Sequence, residues 1–211
     1  MYLVKEIFYS LQGEGAQVGR ATIFIRLAGC NLWTGREIDR RAAICRFCDT
    51  DFLGTDGPEG GKYSAVGLAR KAASLWPVRT QGRTPAYAVL TGGEPALQVK
   101  RDLIVALHNQ GFEVGIETNG SMELPTGFDW ITVSPKAGTD LKVTRGCELK
   151  LVFPQHGAEP CLYDDLCFRH FFLQPMDGPF RERHTQSALR YCLSNPRWRL
   201  SLQIQKILVI P

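Results

Sequence analysis

Thr22-Ile23-Phe24-Ile25-Arg26-Leu27-Ala28-Gly29-Cys30 is the stretch whose reading decides the fold: a short apolar run broken by a glycine, with a cysteine straight after it. The run predicts a strand over 22–27, so the cysteine sits at a strand's C-terminal end, where α/β folds place their sites. The same arrangement recurs along the chain. Pro85 to Leu90 runs into Thr91-Gly92-Gly93-Glu94-Pro95, and Phe112 to Thr118 ends in Glu117-Thr118-Asn119-Gly120. Phe128 to Val133 meets Ser134-Pro135-Lys136-Ala137-Gly138, Leu149 to Phe153 meets Pro154, and Phe171 to Leu173 meets Gln174-Pro175-Met176-Asp177-Gly178. A first strand over 4–9 is broken by Leu11-Gln12-Gly13-Glu14-Gly15, and a last one is expected over 200–210, before Pro211.

Helical spacing falls between these runs. Ser64 offers an N-cap to Ala65, Leu68, Ala69, Ala72 and Trp76, a helix that ends before Pro77. Leu103, Ile104 and Leu107 form one face before Gly111, and Thr185, Ala188, Leu189 and Cys192 form another before Asn195-Pro196. Residues 54–61 hold four glycines and a proline and read as a flexible connection. Strands alternating with helices or loops, each closing on a polar tip, predict a mostly parallel sheet with one functional edge. A closed eight-fold barrel needs about 250 residues. The roughly 180 residues after Cys30 support an incomplete, open (β/α) barrel, one domain over 1–211 with an inserted loop at about 31–44.

Composition narrows the class. With 211 residues, 44% apolar and 22% charged, the chain is an ordinary globular domain, which argues against disorder and coiled coil. A net charge of +4 with scattered lysines and arginines mildly favours a small anionic ligand and does not call for nucleic acid. The N-terminal residues lack a signal-peptide pattern and no run reaches eighteen apolar residues, so a cytoplasmic protein without a membrane segment is expected. Seven irregularly spaced cysteines fit a reducing compartment.

Cys30, Cys45 and Cys48 form Cys-x14-Cys-x2-Cys, with Phe47 before the last. Three thiolates at one place read first as a metal site. Structural zinc usually takes a fourth ligand at similar spacing, and no second pair follows. Cys147, Cys161 and Cys167 are isolated among apolar neighbours and read as buried. Three ligands on a [4Fe-4S] cluster leave one iron open for substrate or cofactor, so the spacing favours a cluster. A Gly-Gly-Glu turn suits an amino group, while Ser134 and Lys136 suit a carboxylate or ribose. Together they fit an amino-acid-bearing nucleoside beside the open iron.

Taken in order, Leu11 to Gly15, Phe24 to Leu27, Cys48-Asp49-Thr50, Thr91 to Pro95, Glu117 to Gly120, Ser134 to Lys136 and Gln174 to Asp177 resemble the radical S-adenosylmethionine enzymes, specifically the family that contracts a pterin ring in queuosine biosynthesis. The resemblance implies a [4Fe-4S] cluster on Cys30, Cys45 and Cys48. It implies S-adenosylmethionine contacts from Gly92, Gly93, Glu94, Ser134, Pro135, Lys136, Gln174, Pro175, Met176 and Asp177. Substrate contacts are implied for Leu11, Gln12, Gly13, Arg26, Thr91 and the Pro211 carboxylate, with Glu14, Glu117 and Asn119 as further contacts, and Mg²⁺ for Thr50. The implied reaction turns 6-carboxy-5,6,7,8-tetrahydropterin into 7-carboxy-7-deazaguanine with loss of ammonia. A homodimer and an electron donor such as flavodoxin or ferredoxin go with it.

The sequence departs from that family pattern in two places. Most radical S-adenosylmethionine enzymes have Cys-x3-Cys-x2-Cys, so eleven extra residues stand between Cys30 and Cys45 here. Gln205 stands where relatives often have histidine. For Arg26, carboxylate recognition is preferred over a surface ion pair, because its neighbours are apolar. Two alternatives stay open: an activase for a glycyl-radical enzyme, and a zinc-stabilised binding protein without catalysis.

Overall fold

A computed structural model describes residues 1–77 and 85–211. Its strands are β1 (Tyr2–Leu11), β2 (Ala21–Leu27), β3 (Gly61–Tyr63), β4 (Ala86–Gly92), β5 (Phe112–Thr118), β6 (Trp130–Val133), β7 (Arg145–Phe153), β8 (Cys167–Pro175) and β9 (Trp198–Leu200). The α-helices are α1 (Ala65–Leu75), α2 (Arg101–His108), α3 (Arg181–Ser194) and α4 (Ile204–Leu208). All nine strands join one sheet in the order β3-β1-β2-β4-β5-β6-β7-β8-β9. The β1 strand runs antiparallel to β2 and β3, whereas every pairing from β2 to β9 is parallel. Since β3 and β9 stay unpaired to each other, the sheet is open, and the parallel strands deliver their C-terminal ends to one edge.

Alternation along the strands explains the two faces. Ile23, Ile25, Leu27, Ala88, Leu90, Val114 and Ile116 pack against Leu68, Ala69 and Ala72 of α1 and Leu103, Ile104 and Leu107 of α2. Further along, Val133, Leu149, Leu151, Phe171 and Leu173 pack with Ala188 of α3 and Trp198. Side chains one residue out of phase, including Arg26, Glu117, Thr132, Glu148 and Lys150, therefore occupy the opposite, polar face. The helix starts follow the expected chemistry: Ser64 Oγ accepts from the Gly67 amide at 3.1 Å, and α1 stops short of Pro77.

Three expectations need correction. The strand expected over 200–210 is only three residues long, because β9 pairs with β8 at Trp198, Arg199 and Leu200 and the chain then turns into α4. The Ile204 amide donates to the Gly13 carbonyl at 3.0 Å, so this segment leaves the sheet and lies against the loop after β1. Residues 54–61 are no loose connection. The Ile7 amide donates to the Pro58 carbonyl and Gly57 donates to the Lys5 carbonyl, and Gly61 opens the edge strand β3. Finally, Cys161 and Cys167 are exposed and Cys147 is half-buried, so none of the three is a core cysteine. Among the described residues no helix is long and apolar enough to cross a membrane.

One contact places the first cysteine. The Glu94 amide donates to the Gly29 carbonyl at 2.9 Å, and a Cβ built on Gly93 would stand 1.9 Å from that same oxygen. Only glycine lets the tip of β4 lie this close to the turn before Cys30. Replacing Gly93 with Ala is expected to cost about 1–3 kcal/mol through overpacking, read as a lower urea midpoint with an unchanged slope.

Candidate active site

The C-terminal edge of the sheet holds two adjoining cavities. The smaller, about 140 Å³, is lined by Cys30, Cys45 and Cys48 together with Leu32, Trp33, Phe52, Gly93, Asn119 and Lys136. The larger, about 500 Å³, is lined by Leu11, Gln12, Gly13, Glu14, Arg26, Thr50, Gly92, Gln174, Gln205 and Pro211, among others. Thr91, Glu117, Ser134 and Lys150 line both, so they form the boundary.

Around the smaller cavity the three thiols are unbridged. A hydrogen bond from the Cys45 thiol, only partly opposed by burial, brings Cys48 down to about 6, and the same bond pushes Cys45 up. Burial raises Cys30. Lys136 stands half-buried beside them; its ammonium donates to the Ser134 carbonyl at 2.5 Å and to Ser134 Oγ at 2.8 Å. Burial lowers the pKa of that ammonium, with the thiolates and Glu94 opposing. No group of three or more His, Cys, Asp or Glu side chains among the described residues is arranged to hold a single metal ion.

The larger cavity is organised by a buried cation. Lys150 Nζ lies 2.5 Å from Glu14 and 3.4 Å from Glu117. Glu14 also accepts from Gln203 at 3.0 Å, Gln205 at 2.9 Å and Gln174 at 3.3 Å, while Gln12 donates to Glu117 at 2.9 Å. Burial alone would raise the Glu14 carboxyl; the Lys150 ammonium and the amide donors outweigh it and hold it at about 2. The side-chain oxygens of Gln174 and Gln205 are buried without a hydrogen-bond partner, leaving acceptors in the cavity wall.

The expected residues divide clearly. Gly92, Gly93, Ser134, Lys136 and Gln174 reach a cavity wall, as do Leu11, Gln12, Gly13, Glu14, Arg26, Thr50, Thr91, Glu117, Asn119 and Pro211. Glu94 does not: fully buried, it accepts from Thr118 Oγ1 at 2.7 Å, the Asn119 amide at 2.7 Å and the Ala96 amide at 2.9 Å, tying the tips of β4 and β5 together. Pro135, Pro175, Met176 and Asp177 line neither cavity. Asp177 pairs with Lys206 at 2.5 Å, and Lys206 also pairs with Asp49. Arg26 does make the ion pair that its apolar neighbours argued against: its Nε donates to Glu6 at 2.7 Å, directly across β1 and β2.

Sequence reasoning missed Lys150 and Glu148. Glu148 is buried, accepting from Thr132 Oγ1 at 2.9 Å and from the Ala16 amide at 2.8 Å. Burial raises its carboxyl, with Lys150 opposing. Gly15 has φ +64°, and a Cβ there would sit 2.4 Å from Glu148 Oε1, so the glycine lets the loop carrying Glu14 settle onto β7. The signal was present: Glu148 and Lys150 alternate with Leu149 and Leu151, which marks a strand with one polar buried face.

An open, mostly parallel sheet with a thiol-lined cavity at its C-terminal edge defines an open (β/α) barrel of the radical S-adenosylmethionine type. No protein-family model matches the chain. It is 59% identical over 213 residues to a 7-carboxy-7-deazaguanine synthase of Bordetella pertussis, covering 100% of this chain and 99% of that one. It is 58% identical to another from Bradyrhizobium diazoefficiens, covering 99% of each. The crystal structure of QueE from Escherichia coli superposes with a TM-score of 0.71 at 28% identity, over 96% of this chain and 93% of that one. The chain belongs to the 7-carboxy-7-deazaguanine synthase family.

Replacing Lys150 with Met leaves Glu14 and Glu117 without their buried cation and is expected to cost about 3–5 kcal/mol near pH 7. Glu14 lies below its ordinary 4.5, at about 2. The stability it contributes is therefore present above pH 4.5 and is lost as pH falls toward 2. Chemical denaturation of both proteins should show a gap that is widest above pH 4.5 and closes toward pH 2; a gap independent of pH would contradict the assignment.

Proposed function

We propose that this chain is a radical S-adenosylmethionine lyase that converts 6-carboxy-5,6,7,8-tetrahydropterin to 7-carboxy-7-deazaguanine with loss of ammonia, in queuosine and 7-deazapurine biosynthesis. The observation that carries this reading is the end-to-end identity to 7-carboxy-7-deazaguanine synthases. The site supports it, because a thiol-lined cavity and a charged one meet at four shared residues.

Cys30, Cys45 and Cys48 would hold a [4Fe-4S] cluster, and the donor set fits. Three free thiols line one cavity with apolar Leu32, Trp33 and Phe52. Zinc needs all its ligands within about 2.3 Å of one point, whereas a four-iron cluster would take one thiolate on each of three irons and so accept thiols set farther apart. When bound with S-adenosylmethionine, the cluster would supply the one-electron chemistry of the ring contraction. This chain's residues bind, orient and exclude water. Gly93 offers a bare backbone to the amino end of S-adenosylmethionine, while Ser134 and the Lys136 ammonium suit its carboxylate or ribose.

On the substrate side, Lys150 and the amides of Gln203 and Gln205 hold Glu14 as a carboxylate in the cavity wall. Gln174 and Gln205 add their unpartnered oxygens to that wall. Arg26, held by Glu6 and within 3.4 Å of the Gly92 carbonyl, keeps part of its fork for the substrate carboxylate. Asp49 and Asp51, which flank Thr50, are already paired with Lys206 and Lys5. A Mg²⁺ ion here would accordingly rely on the Thr50 hydroxyl, substrate oxygens and water. Pro211 lines the cavity, its main-chain oxygen accepting from Ser10 Oγ at 2.8 Å. A homodimer and a flavodoxin- or ferredoxin-type electron donor complete the reading.

Anaerobically purified protein is expected to be brown, with about four irons and four sulfides per chain, and to form the deazaguanine from the tetrahydropterin and S-adenosylmethionine. Cys48→Ala should lose both colour and product. Colourless protein carrying one zinc would refute the reading, as would turnover on a glycyl-radical enzyme in place of the pterin.

A further inference from the structure

The segment between Cys30 and Cys45 folds back on the cysteines. Residues Glu37–Ala42 form a 3-10 helix, and from it Arg40 reaches the Cys45-to-Cys48 turn. Its Nη1 donates to the Arg46 carbonyl at 2.9 Å and to the Cys48 carbonyl at 3.0 Å. Nε donates to Glu37 at 2.7 Å, and Nη2 bonds the other oxygen of the same carboxylate. The flat side of the guanidinium lies 4.0 Å from the centre of the Trp33 ring.

Trp33 in turn anchors the other end of the gap. It meets Phe52 edge-on at 5.6 Å, its Nε1 donates to the Arg36 carbonyl, and the Phe52 carbonyl accepts from the Gly29 amide beside Cys30. Leu32 completes the closure by accepting from the Ile44 and Cys45 amides. One guanidinium therefore touches both arms of the cysteine loop. Arg40 Nη1 is bonded to the residue that carries the third thiol, and the Arg40 side chain is only 28% exposed, whereas that of its partner Glu37 is 76% exposed. Glu37 neutralises part of the Arg40 charge, and the two Nη1 donations direct the rest of the guanidinium toward the cysteine turn.

We propose that Arg40 is a positioning residue for the cluster: it clamps the Cys45-to-Cys48 turn against Trp33 and sets a positive charge on the main chain of that turn, which would favour the reduced, more negative cluster. This rests on the cluster reading above. A fixed positive charge raises the midpoint potential, and hydrogen bonds and solvent exclusion around the ligand loop tune it further. Lysine at position 40 would keep the charge but, as a point donor, could not bond both carbonyls and Glu37 while lying flat on Trp33.

The test uses the whole protein with its cluster, purified anaerobically as wild type, Arg40→Gln, Arg40→Lys and Glu37→Gln. Two quantities are read: the midpoint potential, by dye-mediated titration followed by electron paramagnetic resonance, and the rate of iron loss to a chelator. In Arg40→Gln the reduced-to-oxidised ratio at fixed solution potential should fall about tenfold, a shift of 59 mV for one electron, and iron should leave several times faster. Arg40→Lys should keep the wild-type potential yet lose iron faster, which separates charge from clamp. Glu37→Gln removes the neutralising carboxylate and should move the potential upward, so the sign can be read even if Arg40→Gln fails to fold. Equal potentials in all four proteins would overturn the inference. Wild-type protein without iron would instead sink the cluster reading itself.

Discussion

An ammonium buried on the inner face of a sheet has to be neutralised, and Lys150 is neutralised by carboxylates from separate parts of the chain. Glu14 comes from the loop after β1, Glu117 from the end of β5, and Glu148 lies on the same strand as Lys150. Leaving such a charge unpaired costs several kcal/mol, more than most single contacts contribute. The requirement fixes where the loop after β1 must sit. It also fixes the chain end, because Gln203 and Gln205 satisfy the remaining oxygen of Glu14. The docking of the loop after β1 and of the segment at Gln203 and Gln205 beside the open sheet thus depends on one desolvated cation, and the larger cavity is the space that these groups leave between them.

The two cavities differ because their walls do different work. Near the thiols the wall is apolar at Trp33, Phe52 and Leu32, and among the described residues the only cation in it besides the shared Lys150 is Lys136, held by Ser134. In the larger space the charged and amide groups Glu14, Arg26, Glu117, Lys150, Gln174, Gln203 and Gln205 are each oriented by a neighbour. Pre-paired groups need little reorganisation when a ligand arrives, which is how electrostatic stabilisation avoids losing its worth to solvent. The boundary residues Thr91, Glu117, Ser134 and Lys150 come from four neighbouring parallel strands or the turns just past them. Parallel pairing is what brings four tips, far apart in sequence, to one line.

Much of this was legible because strand tips in an α/β sheet carry local signals. Gly92-Gly93-Glu94, Glu117-Thr118-Asn119 and Ser134-Pro135-Lys136 each interrupt an apolar run and each lies at the expected edge. What was not legible depended on partners distant in sequence. Leu200 to Ile210 has a strand's composition, but pairing with β8 stops after three residues and α4 is drawn instead onto Gly13 and Glu14. Glu94 looked like a ligand group, yet its oxygens are taken by Thr118, Asn119 and Ala96, a fact set by the neighbouring strand. The ion pair of Arg26 with Glu6 depends on cross-strand register, which its apolar neighbours do not reveal. Gln205 donates to Glu14 as a neutral amide, so this hydrogen bond does not depend on a group that titrates near neutrality.

The long gap between the first two cysteines fits the same logic. Length alone is a weak obstacle, since each doubling of a loop costs only about 0.6 kcal/mol. Direction is the harder condition: a chain leaving Cys30 must come back with two more thiols facing the same cavity. The backbone meets it at Leu32, whose carbonyl takes the amides of Ile44 and Cys45. Two hydrogen bonds on one exposed loop would fray, however, without packing on either side. Trp33 supplies apolar surface on one side and Arg40 supplies both a stacking plane and donors on the other. The residues that close the loop are therefore few and face inward, whereas Ile38 and Ala42 point to water and leave room for sequence change.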